Sequence, residues 1–148
     1  ALARRQEREL RDWLFGATGL ESAGLADAVR RVASEIEESY RVKVEVVAVG
    51  EAALHPAAEA LVGAGREALI NAAKHSGADT ISVYVEADTK VLRLFVRDRG
   101  VGFDPDAVAR DRRGLHDSIA RRVVQVGGTS EIRSTPGQGT EIRLEVPN

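Results

Sequence analysis

The stretch Glu67-Ala68-Leu69-Ile70-Asn71-Ala72-Ala73-Lys74-His75 constrains this chain more than any other. It reads as the middle of a helix, and its polar residues fall on one side. At about 100° per residue, Asn71 lies 40° round from Glu67, Lys74 lies 20° to its other side, and His75 lies at 80°. Leu61, Ala68, Leu69 and Ala72 centre roughly 150° away, so the far side is built for a core. The polar stripe holds a carboxylate, an amide, an ammonium and an imidazole, an inventory that suits a metal–phosphate site. Taken singly, Glu67 and Lys74 also suit a solvated helix face, and Asn71 among alanines suits an exposed position. His75, bordering the apolar arc beside Ala68, suits packing or capping as well as phosphate contact.

The rest of the chain places this helix in a mixed architecture. Residues 1–16 are charged and helix-forming, with Leu10, Trp13 and Leu14 on one edge and Gly16 as a stop. They read as the tail of something longer, and residues 17–148 as the domain proper. Leu25, Ala28, Val29, Val32 and Ile36 follow a helical period to about Tyr40, and residues 42–49 read as a strand. The central helix runs from about His55-Pro56, with proline tolerated in the first turn, to Ser76-Gly77, where Gly77 can cap it. Two strands follow, Thr80–Ala87 and Val91–Asp98, around a short turn. Leu92, Leu94, Val96 and Asp98 share one face of the second strand, which puts a carboxylate at the end of a core-facing row. Residues 99–113, rich in Gly, Asp and Arg, read as a long irregular lid or binding loop. Leu115, Ile119, Val123 and Val126 mark another helix, ended by Gly127-Gly128. Strands Thr129–Ser134 and Thr140–Val146 close the chain, with Thr140 sharing parity with Ile142, Leu144 and Val146. Helices interleaved with hairpins predict an α+β fold. It is a two-layer sandwich with a mixed, mainly antiparallel sheet of about five strands and helices on one face.

Composition narrows the function. A net charge of −2, from 21 basic and 23 acidic residues, makes no electrostatic case for nucleic acid. The absence of cysteine excludes disulfides, zinc–thiolate sites and thiol catalysis, and fits a reducing cytoplasm. No apolar run approaches the ~20 residues of a membrane span, so this stretch is expected to make no direct membrane contact. Methionine is absent even at position 1. We read the chain as a fragment or processed product, with room for a membrane anchor upstream.

Four pieces now stand together: Glu67/Asn71/Lys74/His75; Asp98-Arg99-Gly100-Val101-Gly102-Phe103; Arg113-Gly114-Leu115; and Gly137-Gln138-Gly139-Thr140. In order and spacing they resemble the GHKL ATPase superfamily with its Bergerat ATP-binding fold. Within it they look most like the catalytic domain of two-component sensor histidine kinases of the NarL-partnered class. The first piece is similar to the N box, the second to the first glycine box, Gly114-Leu115 to the second, and residues 137–140 to the last. The resemblance covers roughly residues 25–147.

The resemblance implies ATP and Mg²⁺ as cofactors. It also implies an upstream dimerisation and phosphoacceptor domain and a response regulator as partners. On this reading Asp98 accepts a hydrogen bond from the adenine amino group, with Thr140 joining directly or through water. Glycines at 100 and 102 permit φ > 0 and close approach of backbone to a nucleotide. Asn71 offers a neutral oxygen to Mg²⁺, Lys74 and His75 face phosphate, and Glu67 orients or deprotonates the attacking group. Arg113 and the N–H groups of Gly114 and Leu115, at a helix N-terminus, meet phosphate. Blander readings stand beside these: Asp98 as the start of a turn, and residues 137–140 as an ordinary hairpin loop.

Two departures qualify the resemblance. Arg112 occupies the place of the first glycine in the second glycine box, so lid geometry and affinity are open. None of His55, His75 and His116 sits in a long amphipathic helix with an acidic neighbour, as the family's phosphoacceptor does. A serine kinase of the anti-sigma type and a nucleotide-independent interaction domain of the same fold are the alternatives.

Overall fold

The computed structural model describes residues 24–107 and 110–148; the expected 1–16 tail lies outside them. The apolar period of the first described helix builds α1 (Leu25–Tyr40), which buries Leu25, Val29, Ala33 and Ile36 along one stripe. Strand β1 (Lys43–Val49) leads into α2 (Pro56–His75). His55 caps α2, its Nδ1 accepting the Ala58 N–H at 3.3 Å, and Pro56 occupies the first turn, where no N–H is needed. Ser76 closes the helix with its N–H on the Ala72 carbonyl, and Gly77 leaves it at φ +70°, the left-handed step that glycine tolerates.

Strands β2 (Thr80–Ala87), β3 (Val91–Asp98), β4 (Thr129–Ser134) and β5 (Thr140–Pro147) complete one sheet in the order β1-β2-β3-β5-β4. Only β1 and β2 run parallel. A parallel pair needs a long crossover, and α2 supplies it. The result is the expected mixed, mainly antiparallel five-stranded sheet with helices on one face.

That face is the core. Inward residues Ile81, Val83 and Val85, Leu92, Leu94 and Val96, and Ile142, Leu144 and Val146 are all buried. Each fully buried leucine, isoleucine or valine contributes on the order of 1.5–3 kcal/mol. Helix α2 lies across β3 and β5, flanked by α1 and by α3 (Arg110–Val124). It presents Ala58, Ala64, Gly65, Ala68 and Ala72, small side chains that allow a close seat. A Cβ on Gly65 would come within 3.1 Å of Leu94. The outward face is mixed, with Arg93 paired to Glu145 at 2.8 Å, Arg143 lying over the Phe95 ring, and Val47 and Val49 exposed on β1.

One boundary differs from expectation. The irregular stretch foreseen at 99–113 is shorter, because α3 begins at Arg110 rather than near Leu115. Arginine is a good helix former, and an acidic residue in the first turn suits the positive end of the helix dipole. The sequence Arg110-Asp111-Arg112-Arg113 therefore propagates helix through the single glycine at 114.

Candidate functional site

The site begins with a row across the end of the sheet. Pairing register places Ile81 opposite Asp98, Asp98 opposite Thr140, and Thr140 opposite Ser134. Alternation turns this row toward the helices, as it does Val96 and Ile142 one step back. Asp98 is only 5% exposed. Its Oδ1 accepts the Gly100 N–H at 2.9 Å, so the Asp-x-Gly turn and the buried carboxylate coexist. Ser134 Oγ lies 2.8 Å from Thr140 Oγ1 and accepts the Phe103 N–H at 2.8 Å.

The last two turns of α2 form the opposite wall. Asn71, Ala72, His75 and Ser76 meet Asp98, Val101, Gly102 and Thr140 around a narrow cleft. Asn71, Ser76 and Asp98 are the buried polar or charged residues among those described, and all three line this cleft. The Asn71 Oδ1 atom has no hydrogen-bond partner among the described residues. A buried acceptor left in that state costs about 1–3 kcal/mol unless a ligand or water completes it.

The glycines hold this wall together by letting chain cross chain. Gly100 packs its Cα against the Ser76 carbonyl, where a Cβ would sit at 2.1 Å. The next residue, Val101, donates its N–H to that same oxygen at 2.8 Å. Gly102, at φ +60°, lies against the Thr135 carbonyl, and the Gly137 N–H returns to the Val101 carbonyl at 2.6 Å. In the structure the close approach at Gly100 and Gly102 is thus to neighbouring backbone. Of the two, only Gly102 adopts the positive φ expected of both.

With this geometry in place, comparison with known proteins is direct. Residues 58–148 match the family model described as "Histidine kinase-, DNA gyrase B-, and HSP90-like ATPase". The chain belongs to this family. Over 128 residues it is 31% identical to the Bacillus subtilis sensor histidine kinase LiaS, covering 86% of this chain and 35% of that protein. DegS of the same organism, a signal transduction histidine-protein kinase/phosphatase, is 33% identical over 135 residues, with the same two coverages. Among solved structures, the histidine kinase domain of the Erythrobacter litoralis EL346 blue-light activated histidine kinase is similar with a TM-score of 0.67. Its identity is 25%, covering 99% of this chain and 74% of that chain. The chain spans about a third of the length of these two curated relatives. The fold is that of histidine kinase ATP-binding domains, and the family implies ATP as its ligand.

The remaining expected residues of this ATPase domain are distributed unevenly. Glu67 faces α3, where its Oε1 accepts from Arg122 Nε at 2.6 Å. Its Oε2 is buried with no hydrogen-bond partner among the described residues. Lys74 is exposed and does not line the cleft; His75 is exposed and does. Both stand in the last turn of α2, where positive charge also suits the helix dipole. Arg113 is exposed and donates to the Asp106 carbonyl at 3.2 Å. Gly114 and Leu115 are the fifth and sixth residues of α3, not its N-terminus. Their N–H groups lie past the four that an α-helix leaves unpaired, which corrects the expectation that they are ready donors to phosphate.

Three contributors were not foreseen. Ser134 shares parity with Ile132 on β4, and that alternation was the available signal. Ser76 joins through its carbonyl and Arg122 through a contact 55 residues away in sequence. These two carry no local signature. Phe103, which closes the first glycine-box motif, stacks on His116 with ring centroids 5.2 Å apart.

Proposed function

We propose that this domain binds ATP with Mg²⁺ and acts as the catalytic domain of a sensor histidine kinase. It would give the γ-phosphoryl group to a histidine of a separate dimerisation domain, for relay to a response regulator. The observation that carries this reading is the buried Asp98, with Thr140 beside it on the next strand, across one cleft from the unsatisfied Asn71 Oδ1. An isolated structural core has no use for that arrangement.

Asp98 accepts the exocyclic amino group of adenine, a donor that guanine replaces with a carbonyl. Thr140 stands beside it on the same row. Asn71 fits Mg²⁺: its Oδ1 is a buried neutral oxygen in the cleft wall, without a hydrogen-bond partner among the described residues. Among the described residues no cluster of three His, Cys, Asp or Glu forms a protein-only metal site. Magnesium ordinarily takes one or two protein oxygens and completes its shell with phosphate and water. When bound, the ion neutralises phosphate charge. Glu67, steadied by Arg122, orients the attacking imidazole. Lys74, in the last turn of α2, and Arg113, in the first turns of α3, supply positive charge near the phosphates, and His75 offers a hydrogen-bonding group on the cleft wall. The backbone donors to phosphate are the first-turn N–H groups of α3, beginning at Arg110.

Phosphoryl transfer depends mainly on positioning and charge stabilisation, so the acceptor can be supplied by another domain. His55 is occupied as a helix cap and His116 is stacked on Phe103. Among the described residues no helix is long and apolar enough to cross a membrane. We place the domain in the cytoplasm, where ATP and a response regulator are at hand. Calorimetry with ATP, with and without Mg²⁺, tests the reading. Saturable binding strengthened by Mg²⁺ supports it, whereas no binding at millimolar nucleotide favours an interaction domain that has lost ATP. Stable uptake of label from γ-labelled ATP by this chain alone would overturn the separate acceptor.

A further inference from the structure

Ser134 makes three contacts through one oxygen, and their chemistry favours one proton arrangement. A serine hydroxyl has one proton to give and two lone pairs to accept with. The Phe103 N–H can only donate, so it uses one lone pair of Ser134 at 2.8 Å. The Gly139 carbonyl can only accept, so it takes the Ser134 proton at 3.1 Å. The third contact, 2.8 Å to Thr140 Oγ1, is then a hydrogen bond only if Thr140 is the donor. Reversing it would leave the Ser134 and Gly139 oxygens facing each other with no proton between them. Thr140 therefore spends its proton inside the sheet and turns lone pairs toward the cleft. Its neighbour across the strand pair is Asp98, whose carboxylate is also an acceptor.

We propose that Ser134 is a specificity-determining residue: by holding the Thr140 proton, it makes the base-binding wall an acceptor-only surface that selects purines presenting an amino group. The inference rests on the nucleotide reading above and extends it to a residue that need not touch the base. With Ser134 in place, a 6-oxo purine meets lone pairs from both Asp98 and Thr140. Without the Ser134 oxygen, the Thr140 hydroxyl can rotate and donate to that carbonyl. Asp98 still opposes the 6-oxo base, so discrimination is reduced rather than abolished.

The test is calorimetric binding of ATP and inosine triphosphate, which differ at this edge, to the wild-type chain and to variants at position 134. Ser134→Ala is expected to narrow the ATP-to-inosine-triphosphate affinity ratio by about three- to ten-fold, the worth of one net hydrogen bond. Ser134→Thr, which keeps the hydroxyl, should preserve the ratio. Loss of the Phe103 anchor alone would weaken both nucleotides together and leave the ratio unchanged. In a Thr140→Val background Ser134→Ala should no longer change the ratio, because no hydroxyl remains to rotate. Ser134→Cys, similar in shape but a poor acceptor, should narrow the ratio and serves if Ser134→Ala does not fold. An unchanged ratio in Ser134→Ala and Ser134→Cys, with ATP still bound, overturns this inference and leaves the ATP reading intact. Failure of the wild type to bind either nucleotide overturns both.

Discussion

Replacing Gly100 with alanine separates a glycine needed by the chain from one needed by a ligand. The new Cβ would lie 2.1 Å from the Ser76 carbonyl oxygen and 2.7 Å from Ser76 C and Cβ. Those are backbone or near-backbone atoms at the end of α2, so no flexible side chain can swing aside. The 100–101 segment must retreat by roughly 1 Å to reach ordinary contact. That retreat breaks the Val101 N–H bond to the same oxygen and strands the carbonyl of a residue only 6% exposed. Overpacking costs about 1–3 kcal/mol and the lost bond about 1. A gain of about 0.4–1 kcal/mol from a stiffer unfolded chain offsets part of this. The net expectation is destabilisation of about 2–3 kcal/mol, read as a fall of about 1–2 M in the urea midpoint at unchanged slope. Gly114→Ala is the control. It lies inside α3, where an added Cβ would meet nothing within 4 Å, and should stabilise by up to about 1 kcal/mol through helix propensity. A Gly100→Ala stability within about 0.5 kcal/mol of wild type would refute the reasoning and return Gly100 to a role in ligand contact.

The Glu67–Arg122 pair predicts a coupling energy of about 1 kcal/mol in a double-mutant cycle of Glu67→Gln and Arg122→Gln by denaturation, because half-exposed Arg122 is screened by solvent. The coupling should shrink with salt, and a coupling of zero would remove Arg122 as the residue that steadies Glu67. At the β2–β3 turn, Asp88 accepts the N–H groups of Val91 and Lys90. These two bonds, Val91 first, hold its carboxyl below the usual carboxylate range, with Arg93 and Lys90 adding positive charge. A depressed carboxylate stabilises the fold above its unfolded pKa, and that contribution is lost as pH falls through the folded value. Asp88→Asn should therefore melt below wild type at neutral pH, with the gap closing as pH drops below about 4. A gap that persists undiminished in strong acid would contradict this.

The chain's local patterns determined much of this protein. Helical period marked α1 and α2, alternation marked five strands, and the parity of Asp98 and Thr140 with their apolar neighbours placed both on the inner face. These features are legible because side-chain direction repeats every 3.6 or 2 residues, whatever the partners turn out to be. The start of α3 was misjudged, since arginines favour helix and carry no apolar period to reveal it. Tertiary structure alone decided how the polar stripe of residues 67–75 divides. Asn71 faces the cleft beside Asp98, Glu67 meets Arg122 on α3, and Lys74 stays in solvent. One helix face spans several environments, and which residue meets which depends on what packs against each turn. Likewise, sequence offered glycines at 100 and 102 as places where something must come close. Only the crossing of β3's end over Ser76 and the 134–140 hairpin showed that what comes close is the chain itself, because steric exclusion acts between segments far apart in sequence.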